Sequence, residues 1–202
     1  MKKSEQLDLY KLKNHLQFSS KLKIDSLHIS SNVTIGMIHF PGRNHIDSSG
    51  NVWARNIQAD LKDIRNWGAT SLITLAEEKE FATLGVPNFE MNLTAMNYNW
   101  FHLPIPDMHP PGRDFKKRWE EKKEGLFTEF YPGKKIIIHC ASGLGRTGTL
   151  VAKLLTDYGH KATEAIKLVR KTRPGSIETP LQEQFVKTSP PLLPKILTQD
   201  PN

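Results

Sequence analysis

Apolar residues along the chain recur with two spacings, one typical of buried strands and the other typical of helix faces. Short continuous runs predict strands, which we place at Thr34 to Phe40, Ser71 to Leu75, Trp100 to Leu103 and Lys135 to His139. Apolar residues three or four positions apart predict helices, with the faces Ile57-Leu61-Ile64-Trp67, Phe115-Trp119-Leu126-Phe130, Leu150-Leu154-Tyr158 and Ala162-Ile166-Val169. Two shorter helices are predicted, one from Glu77 to Leu84 and one that opens at Pro180.

This alternation of strands and helices predicts an α/β fold with a central, mostly parallel sheet flanked by helices. The 202 residues suit one domain, which we place at residues 30–188. Residues 1–29 are polar and weakly patterned, and we expect an N-terminal arm that is either packed on the domain or loose. Residues 189–202 are rich in proline, and a solvated or packed tail is favoured there over a polyproline ligand. The polar stretch from Arg43 to Asn51 is predicted to be a loop.

Composition narrows the class of protein. Hydrophobic residues make up 38% and charged residues 24%, as in soluble globular proteins, and no apolar run is long enough for a membrane span. No apolar signal segment follows Met1, so we expect a cytoplasmic protein. The net charge of +7 favours anionic partners. Basic residues are mixed with glutamate and not interleaved with aromatic residues, so nucleic acid is not an expected partner. The oligomeric state is left open.

The segment from Ile136 to Gly148 carries the candidate chemistry. An apolar strand runs into a loop that contains glycine, and an amphipathic helix follows. A loop that enters a helix N-terminus points backbone N–H groups at one spot, and the helix dipole adds positive potential there. Such a nest binds a tetrahedral oxyanion. We therefore predict a phosphate site formed by Ala141, Ser142, Gly143, Leu144, Gly145 and Arg146.

The single cysteine, Cys140, lies at the mouth of this loop. A lone cysteine is most often a small buried apolar residue, but a helix N-terminus stabilises the nucleophilic thiolate. Arg146 has a planar fork that can bind two phosphate oxygens at once. Thr147 is expected to hydrogen-bond the thiolate, and His139 is expected to order the loop from behind. With one cysteine and eight dispersed histidines, no spacing indicates a metal site, and no cofactor is expected.

The string HCASGLGRTG resembles the Cys-x5-Arg signature of the protein tyrosine phosphatase superfamily, and the chain looks like a compact dual-specificity phosphatase. Further strings are similar to the kinase-associated phosphatase, or cyclin-dependent kinase inhibitor 3-like, branch and its bacterial relatives. These strings are Pro41-Gly42, LPIPD, and RPGSIET with a following glutamine. The resemblance covers roughly residues 30 to 188 and implies the cysteine phosphatase fold.

The resemblance also implies a mechanism. A phosphocysteine forms at Cys140 and water then cleaves it, while an aspartic acid first donates and later accepts a proton. Asp107 in LPIPD matches the family's acid, whereas the nearby Asp114 is expected to cap the following helix. Gln182 matches the glutamine that positions the water, and Gln184 is the alternative.

Substrate class is the last inference from sequence. The loop interior, Ala141, Ser142 and Leu144, contains no lysine, whereas relatives that act on inositol lipids tend to carry basic residues there. We therefore expect a phosphoprotein phosphatase for phosphotyrosine and/or phosphoserine/threonine, with a phosphorylated protein as its partner. The alternatives are a phosphoinositide or other small-phosphate phosphatase and a catalytically weak phospho-binding module. Intact Cys140, Arg146 and Asp107 argue against the last of these.

Overall fold

The computed structural model describes residues 16–18, 21–29 and 33–198. Its strands are β1 (Leu16–Phe18), β2 (Asp25–His28), β3 (Thr34–Ile38), β4 (Asn44–Ile46), β5 (Val52–Ala54), β6 (Ser71–Thr74), β7 (Asn99–His102) and β8 (Lys135–His139). Its helices are α1 (Ile57–Trp67), α2 (Glu78–Thr83), α3 (Phe89–Ala95), α4 (Arg113–Thr128), α5 (Gly145–Asp157), α6 (Ala162–Thr172), α7 (Pro180–Thr188) and α8 (Lys195–Thr198).

Five strands form the main sheet in the order β2-β3-β8-β6-β7. Strands β3, β8, β6 and β7 run parallel, and β2 is antiparallel to β3. The register pairs both Ile38 and Thr74 with His139, and it pairs Thr74 with His102. The carboxyl ends of four parallel strands therefore meet at one edge, where ligands bind in open α/β sheets. The predicted mostly parallel α/β fold is confirmed.

Strand β8 shows why the sheet is buried on both faces. Its side chains alternate between the faces, so Ile136 and Ile138 join one apolar core while Ile137 joins the other. The first core contains the apolar faces of α4, α5 and α6, and the second contains those of α1, α2 and α3. All three isoleucines are fully buried, which stabilises the strand that leads into the loop by about 1.5–3 kcal/mol for each side chain.

Residues 43–51, which the sequence predicts to be a loop, begin a second, smaller sheet. Strand β4 pairs antiparallel with β5, and β5 pairs parallel with β1. The turn between β4 and β5 is closed by Asp47, whose carboxylate accepts hydrogen bonds from the backbone N–H groups of Ser49 and Asn51. The prediction was wrong for residues 44–46, because a strand of three residues without a buried apolar face gives no strand pattern.

Helix α4 begins two residues earlier than expected. Its N-cap is Gly112, without a side-chain cap, and Asp114 lies in the first turn. The expectation that Asp114 caps this helix was therefore wrong, because Arg113 already has helical geometry. A carboxylate in the first turn still interacts favourably with the helix dipole.

Both ends of the described chain pack on the domain. Strand β2 lies within the segment predicted as an N-terminal arm, and residues 1–15 of that arm lie outside the described residues. In the tail, the backbone N–H groups of Leu192 and Leu193 donate to the buried carboxylate of Asp157, at 2.8 and 3.1 Å. The domain boundaries at residues 30 and 188 stay a prediction. In the part of the chain that is described, no helix has the length and apolar character to cross a membrane.

Candidate active site

The loop from Cys140 to Leu144 joins the carboxyl end of β8 to the N-terminus of α5. It lies against the end of β3, where the backbone N–H of Phe40 donates to the carbonyl of Ala141 at 3.1 Å. Gly143 has a φ of +75°, and a Cβ at this position would be 2.1 Å from the carbonyl oxygen of Ile38. Only glycine fits such a position, so the sequence of the loop fixes its close approach to the sheet.

The Cys140 thiol is buried, with 1% of the residue exposed. The backbone N–H of Gly143 donates to Cys140 Sγ at 3.2 Å, and this hydrogen bond stabilises negative charge on the sulfur. Thr147 Oγ1 is buried and has no hydrogen-bond partner among the described residues, so the expected hydrogen bond from Thr147 to the thiolate is not formed in this structure. The sulfur thus lies where the loop and the helix N-terminus meet, as the sequence predicts.

Arg146 is anchored from a second segment of the chain. Its Nη1 and Nη2 donate to the two carboxylate oxygens of Glu80 at 2.6 and 2.9 Å, and Nη1 also donates to the carbonyl of Ile105 at 3.1 Å. Burial by itself lowers the pKa of the Arg146 guanidinium, but the hydrogen bonds to Glu80 and the charges of Cys140, Glu80 and Asp107 raise it above its usual range. The guanidinium is therefore permanently charged. Its Nε is buried and has no hydrogen-bond partner among the described residues.

Glu80 is one of the site residues that sequence reasoning missed. It lies on α2, and its carboxylate also accepts the backbone N–H of Glu77 in a capping box at the start of this helix. The capping pattern is visible in the sequence, but it accounts for the residue without reference to Arg146, which lies 66 residues away. Only the packing of α2 against the loop reveals the second role.

The predicted acid, Asp107, lies beside Arg146. Its Oδ1 is 3.0 Å from Arg146 Nη2, and its side chain is 66% exposed. The competing residue, Asp114, makes no ion pair with Arg146. The structure therefore brings Cys140, Arg146 and Asp107 together at one edge of the sheet.

Gln182 ties the Asp107 loop to the start of α7. Its side chain is fully buried, and Oε1 accepts hydrogen bonds from the backbone N–H groups of Glu178 and Thr179, while Nε2 donates to the carbonyl of His109 at 3.3 Å. Thr179 Oγ1 donates to the carbonyl of Met108 at 3.2 Å. These bonds hold the segment that follows Asp107, and the role of Gln182 in positioning water stays a prediction.

Arg173 holds the loop from outside. Its Nε and Nη2 donate to the carbonyls of Gly143 and Ser142 at 2.7 and 3.0 Å, and its Nη1 pairs with Asp25 of β2 at 2.6 Å. With two carbonyls bound to Arg173, the loop can present N–H groups on its inner side, as an anion nest requires.

His139 supports the loop from within the sheet, where it is fully buried. Its Nε2 lies 2.8 Å from Thr74 Oγ1, and its ring packs edge-on against Phe40 and Phe89. Burial lowers the pKa of His139 to about 3, so the ring is neutral at physiological pH. A neutral ring held by aromatic residues fits the predicted ordering role and not proton transfer.

Glu178 adds an acidic group that the sequence did not suggest. Its carboxylate accepts the backbone N–H of Gly145 at the start of α5, and partial burial followed by the charge of Asp107 raises its pKa above the usual value. A Cβ on Gly145 would be 2.2 Å from Glu178 Oε2, so the absence of a side chain at this position makes room for the carboxylate. Within the described ranges, no group of three or more His, Cys, Asp or Glu residues is arranged to hold a metal ion.

Comparison with known families agrees with this geometry. The family model described as "Swiss Army Knife protein, DSP-PTPase phosphatase domain" (PTP-SAK) matches residues 54–186. The chain belongs to this family of phosphatase domains. The match spans Asp107, the loop with Cys140 and Arg146, and Gln182. The predicted membership in the dual-specificity type of tyrosine phosphatases is confirmed.

Named relatives of this phosphatase domain lie in two groups. The chain is 29% identical to human protein tyrosine phosphatase type IVA 3 over 119 residues. This match covers 59% of the chain and 64% of that protein. The chain is 30% identical to rat cyclin-dependent kinase inhibitor 3 over 135 residues. This match covers 65% of the chain and 62% of that protein. The chain thus spans less than two thirds of the length of these curated relatives.

A solved structure extends the similarity to the whole fold. The structure of kinase associated phosphatase, with the catalytic site cysteine substituted by serine, is 25% identical and has a TM-score of 0.71. The match covers 83% of this chain and 93% of that structure. The predicted cysteine phosphatase fold and the resemblance to the kinase-associated branch are confirmed.

Proposed function

We propose that the chain hydrolyses phosphorylated tyrosine and/or serine/threonine residues of proteins through a phosphocysteine on Cys140. The observation that carries this proposal is the meeting of three groups. They are a buried sulfur that accepts a backbone N–H, a permanently charged Arg146, and Asp107 at 3.0 Å from that guanidinium. These are a nucleophile, a phosphate-binding cation and a proton donor, as phosphoryl transfer to cysteine requires.

In the first step, Cys140 Sγ attacks phosphorus, the S–P bond forms and the substrate's P–O bond breaks. Asp107 donates its proton to the leaving oxygen, while Arg146 and the loop N–H groups hold the other phosphate oxygens. The free Nε and the Nη2 of Arg146 lie on one edge of the guanidinium, so this edge can bind two oxygens once Asp107 moves off Nη2.

In the second step, a water molecule attacks the phosphocysteine and Asp107 accepts a proton from that water. The S–P bond breaks, inorganic phosphate leaves and the thiolate is restored. Glu178 and Gln182 both lie at the N-terminus of α5, which places them within reach of this water. The cycle needs a reduced thiol at Cys140, which supports our proposal that the protein is cytoplasmic.

Two features support a phosphoprotein as substrate. The interior of the loop contributes no lysine, and the named relatives are a protein tyrosine phosphatase and a protein named as an inhibitor of a kinase. The test is turnover of a panel of phosphopeptides and phosphoinositides by the wild-type chain and by Cys140→Ser. We expect higher kcat/KM on phosphopeptides and no turnover by folded Cys140→Ser. Turnover by that variant would exclude the covalent mechanism, and a clear lipid preference would replace the substrate class.

A further inference from the structure

Beside the phosphate loop lies a buried arginine that the mechanism does not use. Arg43 is 6% exposed and follows the turn that begins at Phe40, the residue whose N–H donates to the carbonyl of Ala141 in the loop. Its guanidinium lies over the ring of Trp53, 3.9 Å from the ring centroid. Arg43 lies before residues 54–186, the range that the family model matches.

No carboxylate forms an ion pair with this buried cation among the described residues, although the charge of Asp47 acts on it. The neighbouring buried Arg55, by contrast, is paired with Asp60 through Nη2 at 2.6 Å and Nε at 2.9 Å. Asp47 is the nearest acidic group of the hairpin, but its carboxylate accepts hydrogen bonds from its own turn and from Trp53 Nε1 at 2.9 Å. A buried charge without a directly paired carboxylate is costly and rare in folded proteins.

Two nitrogen donors in this cluster also have no hydrogen-bond partner among the described residues. One is Arg43 Nε and the other is His45 Nδ1, and both atoms are buried. Arg43 Nη2 lies 3.3 Å from His45 Nε2. A guanidinium can only donate, so Nε2 accepts and the hydrogen of the neutral ring must be on Nδ1. Unsatisfied buried donors are scarce in native proteins. Arg43 Nε and His45 Nδ1 together therefore leave a place for an anionic acceptor.

The position of the cluster relative to the reacting sulfur supports a role in substrate binding. Burial lowers the pKa of Arg43 to about 10, and the negative charges of Asp47 and Cys140 act in the opposite direction. The guanidinium is therefore within electrostatic reach of the thiolate while it is still charged at physiological pH. The Arg43 segment contacts the loop from the side of β3. Arg146 is held from other elements, by Glu80 of α2 and by Asp107 of the segment after β7.

We propose that Arg43 and His45 form a second anion site beside the phosphate loop. This site takes a carboxylate or a second phosphate that a phosphopeptide carries next to the residue being dephosphorylated. The inference rests on the proposed phosphoprotein phosphatase activity and names the substrates that this activity prefers. Charge-assisted hydrogen bonds from a buried guanidinium supply discrimination of about tenfold or more.

The test compares phosphopeptides that differ only at the positions before and after the phosphorylated residue, with alanine, glutamate or phosphoserine there. We expect wild-type kcat/KM to favour an anionic neighbour by about tenfold or more. In Arg43→Gln, the loss on the anionic peptide should exceed the losses on the alanine peptide and on p-nitrophenyl phosphate by a similar factor. Arg43→Lys, which keeps the charge, should retain part of the preference.

Lys79→Met is the matched control, because it removes an exposed cation paired with Glu77 on a neighbouring surface. Its peptide preference should equal that of the wild type, and thermal melts should show that every variant is folded. Equal losses on all substrates in Arg43→Gln would assign Arg43 to the scissile phosphate or the thiolate and overturn the proposal. A preference confined to soluble inositol bisphosphates over monophosphates would overturn the peptide assignment. If turnover depends on Cys140 but shows no preference for peptides with an anionic neighbour, this inference alone is refuted. If no phosphopeptide is turned over at all, the proposed phosphatase activity is refuted.

Discussion

The two hydrogen bonds between Arg146 and Glu80 lead to a prediction for Glu80→Gln. Glutamine keeps the shape of the side chain but removes its charge, and it replaces one acceptor oxygen with an amide that faces a guanidinium donor. Arg146 is 1% exposed and the Glu80 side chain 19%, so the bonds at 2.6 and 2.9 Å are largely shielded from water. Loss of a hydrogen bond to a charged group costs about 1.5–3 kcal/mol, and the partial exposure of Glu80 places the loss at about 2 kcal/mol.

Two measurements follow from this magnitude. For a chain of this size, about 2 kcal/mol lowers the thermal midpoint by about 4–8 °C. Since the guanidinium then keeps only one acceptor oxygen from residue 80, besides the Ile105 carbonyl and Asp107, we also expect kcat/KM to fall about 10- to 100-fold and vanadate to inhibit more weakly. Arg146 is charged at every accessible pH, so these losses should be the same across the pH range of activity.

Glu78→Gln is the control, because this exposed residue on the same helix loses a charge without contacting Arg146. It should leave kcat/KM and vanadate inhibition near the wild-type values. If Glu80→Gln lowers the thermal midpoint but leaves both kinetic constants intact, Glu80 only stabilises the fold. Our reasoning that it positions the phosphate-binding guanidinium would then be refuted.

Two further predictions concern proton transfer and pH. In steady-state assays, Asp107→Asn should reduce hydrolysis of alkyl phosphates by about 10²–10⁴-fold. Hydrolysis of p-nitrophenyl phosphate should fall less, because the nitrophenolate leaving group needs no proton. Asp114→Asn should show no such difference between the two substrates. Burial lowers the pKa of His139 to about 3 and that of His39 to about 4, so the unfolded chain binds more protons than the folded chain below about pH 6.5. The free energy of unfolding should therefore be at its full value above that pH and should fall as the pH drops toward 4. In thermal melts at pH 7.5, 6 and 5, His139→Asn should lose less stability with falling pH than the wild type. An unchanged dependence on pH in this variant would contradict the burial argument.

The parts of the site that the sequence predicts are those that lie close together along the chain. Cys140 and Arg146 are separated by six positions between an apolar strand and an amphipathic helix, so local pattern and loop chemistry suffice to place both. Asp107 was placed from the family resemblance and from its position after a predicted strand. In each case the strand next to the residue carries a strong apolar signal.

The remaining parts depend on contacts between distant segments, for which a single sequence has no signal. Glu80 contacts Arg146 and Arg173 contacts the loop, both from other elements, and each also has a sufficient local explanation, as a capping residue and as a helix end. The hairpin with Arg43 was missed because each of its strands is only three residues long and neither is fully buried. Helix α3 was missed because only two of its seven residues, Phe89 and Leu93, are buried.

The bridge from Asp25 through Arg173 to the loop carbonyls also bears on biosynthesis. These two residues are separated by 148 positions, and the second lies well after Cys140 in the order of translation. A ribosome-bound chain that already exposes its nucleophile therefore lacks the side chain that holds the loop carbonyls outward. Chains are synthesised from the N-terminus at about 5–20 residues per second, so Arg173 follows Cys140 after a few seconds. For that time the phosphate loop around the thiol is incomplete. During that interval the nascent chain has a cysteine but no completed phosphate site, so catalytic competence should arise only after residue 173 has left the exit tunnel.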